Sequence, residues 1–164
     1  MLGGGLQIQH EKDHLIQIFA VGSKSMRRRK SAPHQCAASG RRKEGAGMNK
    51  TPREQAHGEV ERIFRILMPQ NGLAVREEQI ALCHTMLDTL LQNKIALCDA
   101  GVGIGKTYAY LTACALLKRF YPSPQPVVVS TSSVALQDAV IGEYLPFLSR
   151  IFLENHIVQK PIQA

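Results

Sequence analysis

Apolar side chains recur at helical spacing from Pro52 onward. Val60, Ile63, Phe64 and Leu67 share one face, and Pro69-Gln70-Asn71-Gly72 closes the segment. A second helix is predicted from Arg76 to Gln92, with Ile80, Cys83, Leu87, Leu90 and Leu91 on its apolar side. Ile95-Ala96-Leu97-Cys98 is a continuous apolar run of strand length, which predicts a buried strand, and it leads straight into a glycine-rich loop. Residues 106–120 read as a helix that is apolar nearly all round, which predicts that it is buried. Pro122, Pro124 and Pro126 end that helix, and Val127-Val128-Val129 predicts a second buried strand. A further helix should start near Ser133 and carry Val134, Leu136, Val140 and Ile141. Strand, glycine loop, helix and strand form one βαβ unit, and a right-handed crossover makes its strands parallel. The expected class is α/β, with helices preceding the unit.

The chain of 164 residues has room for one ordinary domain. Its net charge of +7 suggests an acidic partner such as nucleic acid, but the excess lies wholly within residues 1–50. Residues 51–164 are balanced, so a basic surface on the folded part cannot be read from the overall charge. Residues 22–50 are rich in Ser, Gly, Arg and Lys and hold almost no large apolar side chain. Burial there cannot offset the entropy of ordering, and disorder is expected. The clusters Arg27-Arg28-Arg29-Lys30 and Arg41-Arg42-Lys43 suit a nucleic-acid arm or a two-part nuclear signal. The preferred reading is plainer: a solvated tail or upstream sequence that is not native, with Met48 a candidate start. The division is therefore residues 1–50, basic, and residues 51–164, folded.

Cys36, Cys83, Cys98 and Cys114 form no Cys-x-x-Cys pair, which argues against zinc, and no disulfide partner is expected. No stretch reaches the length of a membrane span. The run Leu15–Val21 follows acidic residues and precedes its basic cluster, the wrong order for a secretory signal. The expected compartment is the cytoplasm.

Ala100-Gly101-Val102-Gly103-Ile104-Gly105-Lys106-Thr107 fits the phosphate-loop pattern, with Ala in place of the first Gly. Glycines allow the torsions and the close approach that such a loop needs. Its amides then cradle phosphate oxygens, and the helix behind them adds positive potential. Lys106 should reach the β- and γ-phosphates of ATP, and Thr107 should offer its hydroxyl to Mg²⁺.

Three elements stand in order along the chain. Arg76-Glu77-Glu78-Gln79 comes first, then Cys98-Asp99-Ala100-Gly101-Val102-Gly103-Ile104-Gly105-Lys106-Thr107-Tyr108-Ala109-Tyr110-Leu111. Val127-Val128-Val129-Ser130-Thr131-Ser132-Ser133-Val134-Ala135-Leu136-Gln137 follows. Over residues 73–150 this series resembles the start of the DinG/XPD-type DNA helicases of superfamily 2. The resemblance implies part of a RecA-like, P-loop nucleotidase domain. It implies that Gln79 reads the adenine edge with Arg76 nearby, and that Ser130, Thr131 and Gln137 lie along single-stranded DNA. Thr131 and Ser133 could instead simply cap the next helix.

The departures are specific. Asp99 stands where the family has Glu, and Val102 and Ile104 replace two threonines. After the loop the acids are Asp138, Glu143 and Glu154, and none follows an apolar strand. The cysteines lack the spacing that would hold an iron–sulfur cluster. The expectation is an N-terminal piece of a helicase that binds ATP, with hydrolysis and unwinding requiring further parts. With only two strands and an open edge, residues 48–164 are expected to be marginally stable and prone to associate. Two other readings remain: a different phosphate-loop ATPase, such as a helicase loader or transport ATPase, and a non-enzymatic nucleic-acid-binding fragment using residues 24–43.

Overall fold

A computed structural model of the chain describes residues 15–18, 50–124, 126–131 and 133–163. The basic clusters, Cys36 and Met48 lie outside the described residues. The described fold is mostly helical. A short strand β1, Leu15–Ile18, pairs with β2, Ala96–Asp99, and the two run antiparallel.

Helix α1, Pro52–Arg62, starts on a reciprocal cap. The Thr51 hydroxyl accepts from the Glu54 amide at 3.2 Å, and the Glu54 carboxylate accepts from the Thr51 amide at 2.7 Å. Helix α1 continues through a π-helical turn, Ile63–Leu67, into α2, Met68–Gln70. Helix α3 spans Glu77–Leu91 and α4 spans Lys106–Phe120, close to their expected bounds. Helix α5, Val134–Ala139, begins at Ser133, whose hydroxyl accepts from the Leu136 amide. A second π-helical turn, Val140–Tyr144, joins α5 to α6, Leu145–Glu154.

Helix α4 lies along α3 at the centre of the core. Ala109, Ala113 and Leu116 of α4 are fully buried, as are Cys83, Met86 and Leu87 of α3. The small alanines let the two backbones come close. Val60, Ile63 and Phe64 close the core on one side, and Leu148, Ile151 and Phe152 belong to the same cluster. The core is aliphatic apart from a few rings, as the composition implied. Burial pushes the Cys83 thiol up and holds Cys114 at about 12, so both stay protonated.

The expected parallel βαβ unit does not form. Val127–Val129 is not a strand; Val128 is 62% exposed, and no described strand lies beside it. A strand is completed by a neighbour's backbone groups, and Pro126, lacking an amide proton, offers none at the start of this segment. Nor is β2 buried on both faces. Cys98 packs against the core, whereas Leu97 on the other face is 68% exposed. The α/β class is thus replaced, among the described residues, by a helical assembly carrying one short antiparallel ribbon.

The Thr112 hydroxyl is out of place in the core. Thr112 is fully buried and its Oγ1 has no hydrogen-bond partner. Thr112→Val removes that cost without changing the shape much. It should leave stability unchanged or raise it by up to about 1 kcal/mol, read as the midpoint of urea unfolding.

Candidate functional site

The loop Ala100–Thr107 links β2 to α4. Its path depends on two left-handed residues, Gly103 at φ 81° and Gly105 at φ 84°, a region that residues with a Cβ rarely enter. Gly105 is also the cap of α4, and no side chain caps that helix end. Among the described residues, the amides of Gly101 through Thr107 donate no backbone hydrogen bond. They form a set of free donors at the positive end of a helix 15 residues long.

Lys106 is half-buried and turns back over the loop. Its Nζ donates to the Ala100 and Gly101 carbonyls, each at 2.8 Å. Thr107, also half-buried, occupies the next position on α4. Ala100 is buried, Gly101, Val102 and Gly103 are exposed, and Ile104 is half-buried.

The start of α3 grips this loop from behind. The Gln79 side chain is 5% exposed, and its Nε2 donates to the Gly105 carbonyl at 2.8 Å. Arg76, the residue that caps α3, donates from its guanidinium to the Gly103 carbonyl. The two residues that the resemblance assigned to adenine therefore meet the two glycines with left-handed torsions. Next to Arg76, Glu77 is engaged by Arg65 at 2.6 Å, which holds its carboxyl below the ordinary carboxylate range. That leaves the Arg76 and Lys106 cations at the loop itself.

Ser130, Thr131 and Gln137 are not at the loop. Ser130 and Gln137 are exposed, and the Thr131 hydroxyl donates to the Ser133 carbonyl at 3.0 Å. Thr131 and Gln137 line a separate groove of about 990 Å³, whose other walls include Leu111, Cys114, Val127 and Val129. Ser133, not Thr131, caps α5.

The donor set around the loop suits a polyanion: free amides, a helix start, one ammonium and one guanidinium. Thr107 supplies one hydroxyl oxygen. Mg²⁺ held there would draw its remaining oxygens from phosphate and water, its ordinary habit beside nucleotides.

The chain is 28% identical over 100 residues to proteins named 3'-5' exonuclease DinG in Staphylococcus aureus strains USA300, NCTC 8325 and COL. The likeness is to DinG. It takes in 61% of this chain, which spans only 11% of the length of each of these relatives. No family model and no solved structure matches the chain. No described helix is long and apolar enough to cross a membrane.

The capping box that starts α1 has a sequence signal, since Thr51 and Glu54 stand three apart before an apolar run. The grip of Arg76 and Gln79 on the loop carbonyls has no local signal, because 27 and 26 residues separate the partners.

Proposed function

We propose that the loop Ala100–Thr107 binds the triphosphate of ATP with Mg²⁺, as the nucleotide-binding part of a DinG-like DNA helicase. One observation carries the reading. Left-handed Gly103 and Gly105 shape a loop whose amides make no backbone hydrogen bond, directly ahead of α4, and Lys106 is held over the same loop. The similarity to DinG supports it. Those relatives are named exonucleases, but a glycine loop with one lysine supports the nucleotide-binding role rather than cleavage of a nucleic acid. Hydrolysis of ATP and unwinding of DNA are assigned to the whole DinG-like protein. Single-stranded DNA is assigned to Ser130, Thr131 and Gln137, of which Ser130 and Gln137 are open to solvent.

Gln79 acts on the nucleotide through the loop. Its amide is buried and already bonded to Gly105, so its removal loosens the phosphate cradle whatever the base. Gln79→Ala should weaken ATP and GTP alike by about fivefold, the equivalent of one hydrogen bond of about 1 kcal/mol. Titration of both nucleotides into the native and substituted chains checks this. A loss confined to ATP would return Gln79 to reading adenine.

A further inference from the structure

A second cluster of ionisable groups lies away from the loop, between α1 and α3. His57 on α1 and His84 on α3 bring their Nδ1 atoms to 2.6 Å. The outer nitrogen of each ring is committed to a carboxylate. His57 Nε2 lies 2.9 Å from Asp88 Oδ1, and His84 Nε2 lies 2.8 Å from Glu61 Oε1. The order is carboxylate, imidazole, imidazole, carboxylate, and it crosses the helix pair.

Hydrogen-bond bookkeeping determines how many protons this chain can hold. An ionised carboxylate only accepts, so both Nε2 atoms must carry a proton. A neutral imidazole has a single N–H. Two neutral rings would then oppose two bare lone pairs at 2.6 Å, which is repulsive. Two imidazolium rings would oppose two N–H groups, which is worse. Only one additional proton, lying between the two Nδ1 atoms, gives every nitrogen a donor or an acceptor.

We propose that His57 and His84 share one proton, and that this proton ties α1 to α3. The surrounding charges suit a shared cation. Arg53 on α1 donates to Asp88 at 2.7 Å, and Arg65 donates to Glu61 at 2.5 Å and to Glu77 at 2.6 Å. Arg119 of α4 lies 4.0 Å from Glu59, which Arg62 also holds. Both carboxylates of the chain are ionised at neutral pH. Hydrogen bonds from His84 and then Arg65 hold Glu61 below the ordinary range. Burial pushes Asp88 upward, but hydrogen bonds from His57 and Arg53 outweigh it and leave Asp88 low as well.

Long-range proton–nitrogen correlation spectra of the full chain, labelled with ¹⁵N in its imidazole rings, test the count directly near neutral pH. His57→Gln and His84→Gln assign the signals. Both Nε2 atoms should be protonated, with one proton divided between the two Nδ1 atoms. Two neutral rings titrating independently would overturn the proposal. So would one equivalent of zinc shifting both Nδ1 signals together, since the pair would then be a metal site.

Discussion

Replacing Lys106 with alanine should weaken ATP binding by about a hundredfold, or about 3 kcal/mol, the size expected for charge-assisted hydrogen bonds to phosphate. Here the ammonium rests on the carbonyls of Ala100 and Gly101. Binding would exchange those two weak acceptors for phosphate oxygens, which carry full charge. The resting contacts keep the ammonium over the loop, so little ordering entropy remains to be lost when the nucleotide arrives. Lys106→Arg should lose nearly as much, because a broad planar fork does not replace a compact point charge inside a tight loop. Calorimetric titration of ATP with Mg²⁺ into the native, alanine and arginine chains measures these losses. Urea midpoints, expected to change little, show that the fold persists. An affinity that survives the alanine substitution would refute the assignment of the loop.

The second large effect is structural. Gly105→Ala should destabilise the chain by about 2–3 kcal/mol through two separable causes. The residue sits at φ 84°, where a Cβ strains the backbone. That Cβ would also stand 1.9 Å from Gln79 Nε2. Gln79 could only move by giving up its bond to the Gly105 carbonyl, and it is buried, so it has little room. A double-mutant cycle separates the causes. Gln79→Ala in the Gly105→Ala background should recover the collision, about 1 kcal/mol, and leave the torsional strain. Strictly additive losses in urea unfolding would show that Gln79 does not press on Gly105.

The helices were legible because their signals are local. Val60, Ile63, Phe64 and Leu67 lie within two turns, so their spacing alone told which face would be buried. The bounds of α3 and α4 came within a residue or so for the same reason. The loop was legible too, since Gly103 and Gly105 stand where the backbone needs left-handed torsions. Val127–Val129 misled. Three β-branched residues report how well a segment would fit a sheet, not whether a neighbour is present to complete one. Leu97 misled likewise, because a continuous apolar run does not say that both faces are covered.

By itself, then, the sequence determined the helices up to α5, the glycine loop and the lysine that follows it, while α6 with its core residues Leu148, Ile151 and Phe152 was not read. Each rests on contacts between residues a few positions apart, which any chain carrying them would make. The tertiary structure decided that β2 pairs antiparallel with Leu15–Ile18 and that Arg76 and Gln79 hold the loop by its glycine carbonyls. It also decided that His57 meets His84 across two helices. Those contacts join residues from 26 to 84 positions apart. They form only once the aliphatic core has set α1, α3 and α4 side by side, and no local spacing in the chain encodes that distance.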